Sequence, residues 1–235
     1  MRAHSLFGAR HVRCHPIHHP HRPPHPTLEG LGGIGVATIH EAQGRKGLLA
    51  PQMRPIQTGR RIAGPAVTVS LPPCDNWMIH VAVEQCQPGD IMVVSPTSVS
   101  QAGYFGDLLA TLFQARGIAG LIMDAGVRDV AELREMGFPV WSTCISAQGT
   151  VKETLGSVNI PITCAGQMIH PGDAIIADDD GVVVVAQAEA AEVLAASRAR
   201  EIREAGIRER YLRGELGLDM NNMRPALAAK GLIYK

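Results

Sequence analysis

The chain has 235 residues, of which 46% are hydrophobic and 4% aromatic, so a single core would be built mainly from aliphatic residues and methionine. Its 22 basic and 22 acidic residues cancel, and no basic stripe with interleaved aromatics occurs, which argues against a nucleic-acid partner. The five cysteines are widely spaced without a C-x-x-C pair, so we expect neither a disulfide framework nor a zinc ribbon, and a reduced, cytoplasmic setting fits. No apolar run of about 18 residues is present to span a membrane.

Residues 1–28 are predicted to form a disordered extension. They contain seven of the ten histidines and a proline cluster over residues 15–26, with too little apolar content to build a core. Their four arginines resemble a transit peptide, but the prolines oppose an amphipathic helix. The alternatives are a start codon assigned too far upstream and a histidine tract that captures Zn²⁺, Ni²⁺ or Cu²⁺ adventitiously.

Residues 29–213 carry the pattern of one α/β catalytic domain. Short apolar runs predict strands over 66–71, 91–95, 118–123, 139–142, 160–164, 174–177 and 182–186. Helical spacing predicts helices over 76–85, 127–136 and 187–213. Strands mixed with helices and hairpins indicate a layered α/β sandwich instead of a barrel or a Rossmann domain. No G-x-G-x-x-G or P-loop sequence points to a dinucleotide or a nucleoside triphosphate.

Two Pro-Gly-Asp sequences, at 88–90 and 171–173, each precede a predicted strand. Their aspartates, Asp90 and Asp173, are interpreted as turn residues and not as chemistry. Asp180-Gly181 is predicted to turn a hairpin between the last two strands.

The last predicted helix, 187–213, is longer than a domain of this size can cover. It is therefore expected to dock on a neighbouring subunit. Residues 214–235 are predicted to form a tail that packs on the same assembly.

The segment that begins at Gly103 is the most informative part of the chain. Gly103 and Gly106 are predicted to bracket a turn, and the apolar residues that follow have helical spacing. Asp107 should therefore sit at a helix start, where free backbone N–H groups point at solvent or an anion. The helical spacing is carried by Leu108, Leu109, Leu112 and Phe113.

Arg128 and Asp129 follow the predicted strand 118–123 at the mouth of the next βα connection, where ligands bind in α/β sheets. Two carboxylates on adjacent loops, Asp107 and Asp129, suit Mg²⁺ or Mn²⁺, which keep several waters and accept one or two protein carboxylates. An arginine beside them matches a substrate carboxylate or a developing enolate oxygen. In the alternative interpretation, the aspartates cap helices and Arg128 neutralises them.

The D-x20-R-D arrangement of Asp107, Arg128 and Asp129 resembles the divalent-metal (class II) pyruvate aldolases that cleave 4-hydroxy-4-methyl-2-oxoglutarate and 4-carboxy-4-hydroxy-2-oxoadipate. These aldolases are relatives of the regulator of ribonuclease E activity A. The resemblance runs from about Leu31 to the C-terminus and implies a β/β/α sandwich of swivelling-domain type. Other matching segments are Arg-Ile-Ala-Gly-Pro-Ala-Val-Thr at 61–68, Pro-Gly-Asp-Ile at 88–91, Gly-Phe-Pro-Val at 137–140, Pro-Gly-Asp at 171–173 and Asp-Asp-Asp-Gly-Val-Val at 178–183.

The resemblance also implies roles for the site residues. Asp129 would ligate a divalent metal, Mg²⁺, Mn²⁺ or another, directly or through water, and Asp107 would hold metal-bound waters. Arg128 would bind the keto acid and stabilise the enolate charge. The backbone amides of two leucines would receive the pyruvate carboxylate, so the implied substrate-binding set is Gly106, Asp107, Leu108, Leu109 and Arg128.

A third catalytic residue, Glu204 on the long helix, would reach into a neighbouring protomer's site. The resemblance therefore implies a homotrimer or a homohexamer. The alternative for Glu204 is a solvated helix face among several arginines. Lys152 and Arg61 are further candidates to meet substrate carboxylates.

A pyruvate aldolase needs an electron sink for the enolate, either a lysine Schiff base or a divalent metal. Of the four lysines, at 46, 152, 230 and 235, Lys152 is the one plausible imine former, and its sequence surroundings look solvated. The metal route is therefore favoured.

The resemblance implies retro-aldol cleavage of 4-carboxy-4-hydroxy-2-oxoadipate to pyruvate and oxaloacetate, or of 4-hydroxy-4-methyl-2-oxoglutarate to two pyruvates, in aromatic acid degradation. Oxaloacetate decarboxylation would be a side activity through the same enolate. One alternative is a non-catalytic, ring-shaped regulator of ribonuclease E. Another is a phosphohistidine swivelling domain, which needs a histidine in a mobile loop that His40, His80 and His170 do not match.

Overall fold

A computed structural model of the chain describes residues 20–233. Within that range nine strands form one sheet, in the order β1-β6-β5-β3-β2-β10-β11, with β4 paired to β5 and β7 paired to β2, while β8 and β9 form a separate hairpin. The strands are Arg54–Pro55 (β1), Ile62–Leu71 (β2), Ile91–Pro96 (β3), Gly103–Phe105 (β4), Gly120–Val127 (β5), Val140–Ile145 (β6), Ser157–Val158 (β7), Ile162–Cys164 (β8), Gln167–Ile169 (β9), Ala174–Asp178 (β10) and Gly181–Val185 (β11). The helices are His25–Gly32 (α1), Val36–Ala42 (α2), Trp77–Val83 (α3), Asp107–Ala115 (α4), Val130–Met136 (α5), Ala190–Leu212 (α6), Gly217–Met220 (α7) and Arg224–Ala229 (α8).

Four parallel strands, β2, β3, β5 and β6, form the centre of the sheet. They read as continuous apolar runs because both of their faces are covered. Helices α3, α4 and α5 cover one face with a core that includes Ile79, Phe113 and Leu133. The other face packs against β8, β9 and the β10–β11 hairpin, around Trp141.

A third apolar cluster joins α1, α2 and α6 to the outer side of the β10–β11 hairpin. The parallel strands therefore lie between a helical layer and a second β layer, which consists of β8, β9 and the β10–β11 end of the same sheet. This arrangement confirms the expected β/β/α sandwich. No helix within residues 20–233 combines the length and the apolar character needed to cross a bilayer.

Both Pro-Gly-Asp sequences are turns, as predicted. Asp90 accepts a hydrogen bond from the backbone N–H of Gln87 at 2.8 Å, and Asp173 accepts one from His170 at 2.8 Å. Strands β10 and β11 pair from Asp178 opposite Gly181, so the predicted hairpin turn is also confirmed.

The ordered fold extends further towards the N-terminus than expected. Helix α1 begins at His25, and its Leu28 is buried. The guanidinium of Arg22 binds the buried carboxylate of Asp90 with two hydrogen bonds, of 2.8 and 2.6 Å. The boundary of the extension at residue 28 is therefore wrong for residues 20–28, because this stretch packs and pairs with the domain. Residues 1–19 of the predicted extension lie outside the described residues.

Helix α6 matches the predicted long helix, except that residues 187–189 form a 3-10 turn before it. Its buried residues all lie before position 198, at Ala190, Val193, Leu194 and Ser197. The second half of the helix and helices α7 and α8 have no buried residue. The described part of the tail therefore contains two short helices, and no other described residues cover them.

Candidate active site

The extension of strand β5 brings the two halves of the D-x20-R-D arrangement together. The strand runs to Val127, four residues beyond the predicted end, and β4 pairs with this added part. Residues 103–105 are thus a short strand and not the predicted turn. Because the backbone N–H of Arg128 donates to the carbonyl of Phe105 at 2.8 Å, Arg128 lies directly beside the start of α4.

Asp129 has an unusual backbone conformation at this point. Helix α5 begins at Val130, three residues later than predicted, and Asp129 precedes it with a φ of 53°, in the left-handed region. Such a conformation costs on the order of 1–3 kcal/mol in a residue other than glycine and is concentrated at functional sites. It turns the carboxylate towards α4, where Oδ2 accepts the backbone N–H of Asp107 at 3.3 Å. The Nε atom of Arg128 lies 3.5 Å from the same oxygen.

Gly106 allows this close approach. A Cβ atom at position 106 would lie 2.0 Å from Oδ2 of Asp129 and 3.1 Å from Cγ of Arg128. No side chain fits there without moving the carboxylate. The predicted substrate-binding position at Gly106 is therefore also the position that lets Asp129 contact the start of α4.

A cavity of about 120 Å³ opens at this mouth. It contains the predicted site residues of this protomer except Glu204. Its lining residues are Asn76, His80, Tyr104, Gly106, Asp107, Leu108, Leu109, Arg128, Asp129 and Lys152.

The start of α4 offers backbone donors to this cavity. The first helical hydrogen bond runs from the N–H of Ala110 to the carbonyl of Gly106. The N–H groups of Leu108 and Leu109 thus have no helical partner, and they lie at the positive end of the helix dipole. A carboxylate or another anion is the natural ligand of such a helix start. The side chain of Leu108 is exposed and that of Leu109 is buried. Both side chains are apolar, so it is the backbone N–H groups of these residues that suit the predicted binding of a carboxylate.

Four lining residues were not in the predicted site set: Asn76, His80, Tyr104 and Lys152. Asn76 is buried, and its Oδ1 atom has no hydrogen-bond partner among the described residues, although its Nδ2 donates to the carbonyl of Tyr104 at 2.9 Å. A buried acceptor of this kind normally has a partner, so Asn76 is suited to a ligand hydroxyl or a water. The scarcity of lysine was the one sequence signal that singled out Lys152.

Burial shifts the pKa values of two of these four residues, His80 and Tyr104, and the charge of Lys152 adds to the shift of His80. Partial burial, and after it the charge of Lys152, lower the pKa of His80 below its ordinary value, so its neutral form is favoured. Burial raises the pKa of Tyr104 and outweighs its hydrogen bonds to Ser100 and Cys74, so its hydroxyl stays protonated. Lys152 and Arg128 are the two basic side chains other than His80 that line the cavity.

Glu204 does not line the cavity of its own protomer. It lies on the uncovered half of α6, where its carboxylate is 2.7 Å from Nε of Arg200. Arg200 in turn lies 3.7 Å from the carboxylate of Glu41 on α2. The role of Glu204 in a neighbouring protomer's site stays a prediction.

Residues 36–184 match the RraA-like family, described as Aldolase/RraA. The match covers more than half of the chain, so the chain belongs to this family. A relative from Burkholderia multivorans, provisionally named a 4-hydroxy-4-methyl-2-oxoglutarate aldolase, is 36% identical over 145 residues, which make up 62% of this chain and 88% of that protein. A relative from Halalkalibacterium halodurans with the same provisional name is 29% identical over 153 residues, 65% of this chain and 73% of that protein.

Among solved structures, the chain is similar to Streptomyces coelicolor RraAS2, described as an unusual member of the RNase ES inhibitor RraA protein family. The TM-score is 0.71 at 30% sequence identity, and the match covers 80% of this chain and 100% of that one. The family thus contains relatives named for an aldolase and relatives named for ribonuclease inhibition.

Proposed function

We propose that this protein is a divalent-metal-dependent aldolase that cleaves 4-carboxy-4-hydroxy-2-oxoadipate, 4-hydroxy-4-methyl-2-oxoglutarate or both, and that it decarboxylates oxaloacetate as a side activity. The observation that supports this most strongly is the meeting of Asp107, Arg128 and Asp129 with the free amides of α4 in one cavity. A cation site, an anion site and a guanidinium are the parts that enolate chemistry requires. The provisional names of the curated relatives agree with this reaction.

The donor set fits a hydrated Mg²⁺ or Mn²⁺. Within residues 20–233 no group of three or more histidine, cysteine, aspartate or glutamate side chains could enclose an ion. Asp129 and Asp107 would hold the metal through one or two carboxylates and its waters, which is how Mg²⁺ is usually bound. Oδ1 of Asp129 accepts no hydrogen bond within that part of the chain, so it is available to a ligand. When bound, the metal would polarise the keto acid and lower the pKa of coordinated water.

The chain's own groups then orient the substrate and handle its charge. The amides of Leu108 and Leu109 hold the carboxylate of the pyruvate half, and Arg128 faces its keto oxygen. Asp107 orients the water that removes the proton from the C4 hydroxyl. The C3–C4 bond breaks, C4 becomes a carbonyl, and the electron pair remains on the pyruvate half as an enolate next to Arg128. The proton taken from the C4 hydroxyl then passes from that water to C3 and completes pyruvate.

Lys152 has two possible uses in this cavity. As a basic side chain in the same cavity as Arg128, it suits a second substrate carboxylate. As an amine, it would instead form an imine with the keto group of the substrate. Neither Asp107 nor Asp129 is required as an ion ligand in the imine mechanism, whereas both are in the metal mechanism, so the two are separable by metal removal.

A regulator of ribonuclease E remains the second candidate, because RraAS2 is described as a member of an inhibitor family. Retention of Asp107, Arg128 and Asp129 in one cavity favours catalysis. The deciding experiment measures NADH consumption by lactate dehydrogenase as pyruvate is released from each tertiary alcohol, alongside inhibition of ribonuclease E cleavage. We expect pyruvate release that scales with protein concentration. Inhibition without any pyruvate release from either alcohol would replace the aldolase with the regulator.

A further inference from the structure

A buried carboxylate outside the predicted site, Asp75, holds one wall of the cavity in place. Its side chain is 2% exposed. Oδ1 accepts the backbone N–H of Trp77 at 2.9 Å, and Oδ2 accepts those of Glu153 at 2.8 Å and Thr154 at 2.7 Å. One carboxylate therefore joins the first turn of α3 to the loop that carries Lys152.

The surrounding backbone strengthens the same junction. The N–H of Asn76 donates to the carbonyl of Val151 at 3.1 Å, and the N–H of Val151 donates to the carbonyl of Cys74 at 2.9 Å. Cys74 has a φ of 61°, in the left-handed region, and its N–H donates to the hydroxyl of Tyr104 at 2.6 Å. A non-glycine residue keeps that conformation when its neighbours fix it, which indicates a rigid junction.

The charge of Asp75 is retained despite its burial. Burial by itself would raise the pKa of this carboxyl, but the three backbone N–H groups and the nearby charge of Lys152 outweigh it and hold the pKa below its ordinary value. The carboxylate is thus ionised at neutral pH. Its field also acts on Lys152, whose side chain lines the cavity.

We propose that Asp75 is a positioning residue, which holds Asn76 and Lys152 in the cavity that Arg128 and Asp129 also line and so determines how the groups on C4 of the substrate are recognised. The unpartnered Oδ1 of Asn76 is an acceptor for a hydroxyl on C4, and Lys152 is a cation for a carboxylate carried there. This inference rests on the proposed aldolase function. Asn76 and Lys152 would distinguish the C4-branched acids from oxaloacetate, because C4 of oxaloacetate carries no hydroxyl and no branch.

The test is Asp75→Asn, assayed with 4-carboxy-4-hydroxy-2-oxoadipate and with oxaloacetate. The variant keeps the shape and one acceptor, but it places an NH₂ group against at least one backbone N–H donor and removes the charge. We expect KM for the branched acid to rise about tenfold or more, the effect of losing a charge-assisted contact, while kcat/KM for oxaloacetate decarboxylation stays within about twofold.

Asp173→Asn is the matched control. Asp173 is also buried and accepts two backbone N–H groups, from His170 at 2.8 Å and Gln187 at 3.0 Å, but it does not line the cavity. Loss of thermal stability is expected in both variants, and the split between the two substrates is expected in Asp75→Asn alone. If circular dichroism shows that Asp75→Asn does not fold, Asp75→Glu retains the charge, displaces it by one methylene, and should show the same split.

Equal losses for both substrates, or no difference from Asp173→Asn, would overturn the positioning role and leave the aldolase function intact. Failure of the proposed function is recognised separately, because the wild-type protein would then release no pyruvate from the branched acid.

Discussion

The cavity at the mouth of β5 and the arm formed by the second half of α6 with α7 and α8 differ in what holds them. Around the cavity, Asp75, Gly106 and Asp129 are each fixed by hydrogen bonds or by a contact that leaves no space for another atom. The arm has no buried residue, and it exposes Ile202, Tyr211, Leu212, Leu216 and Met223. The described residues therefore fix the groups around the cavity but leave the apolar side chains of the arm uncovered, and the predicted neighbouring subunit would cover them.

The largest expected effect is at Arg128. A guanidinium that meets growing enolate charge contributes more in the transition state than in the ground state. Arg128→Ala should lower kcat by on the order of 10²-fold or more and also raise KM. Arg128→Lys should recover part of this loss, because a point charge cannot make the forked contact.

Oxaloacetate decarboxylation should fall in parallel with aldol cleavage in Arg128→Ala, since both reactions pass through the same enolate. Steady-state kinetics on both substrates checks this. A near wild-type kcat of Arg128→Ala on either substrate would show that the cavity at the end of β5 is not the active site.

Gly106→Ala should have the next largest effect, because the new methyl group would displace the Asp129 carboxylate from the start of α4. A shift of about 1 Å at reacting groups can cost about 10²-fold in rate. Gly33→Ala is the control, since a Cβ there makes ordinary contacts of 3.4 and 4.0 Å. Unchanged turnover in Gly106→Ala, with Gly33→Ala also active, would show that the position of Asp129 is unimportant.

Glu204→Ala tests whether the arm completes a neighbouring copy's site. If its carboxylate handles a proton there, turnover should fall on the order of tenfold to a hundredfold while sedimentation shows an unchanged oligomer. Glu201→Ala, three residues earlier on the same exposed helix, should leave turnover unchanged. Wild-type kinetics for Glu204→Ala would return this residue to the solvated face that it shares with Arg200.

The smallest expected effect concerns His80, an exposed residue whose ring is partly buried against the cavity lining. Its pKa is lower in the folded protein than the ordinary 6.5, so the unfolded chain binds this proton first as the pH falls. This part of the stability is present above pH 6.5 and declines as the pH falls from 6.5 towards the folded pKa. His80→Gln should flatten the corresponding decline of Tm, and an identical decline in the variant would contradict the assignment.

The sequence predicted the parts of this molecule that depend on local patterning. The strands of the parallel sheet, the two Pro-Gly-Asp turns and the start of α4 at Asp107 follow from apolar periodicity and turn chemistry, and the structure confirms them. The D-x20-R-D spacing was sufficient to predict that Asp107, Arg128 and Asp129 meet. The extension of β5 to Val127 was missed because its Asp-Ala-Gly sequence interrupts the apolar run.

The sequence patterns did not predict contacts between segments that are far apart in the chain. Asn76 and Lys152 enter the cavity because Asp75 joins a helix start to a loop almost 80 residues later. Arg22 was assigned to the extension because its surroundings have no core residues, yet its partner Asp90 lies in a turn 68 positions away. Neither pairing leaves a periodic signal in the chain.

We propose that Asp129 and Asp107 would hold a divalent metal that stabilises the enolate left by the broken bond, in place of an imine on Lys152. Pyruvate release from 4-carboxy-4-hydroxy-2-oxoadipate should be measured after EDTA treatment, after addition of Mg²⁺ or Mn²⁺, and with borohydride present, for the wild type and Asp129→Asn. We predict that EDTA abolishes release, that metal restores it in the wild type but not in Asp129→Asn, and that mass spectrometry finds no reduced adduct. Full activity in EDTA, together with a borohydride-trapped adduct on Lys152, would contradict the claim.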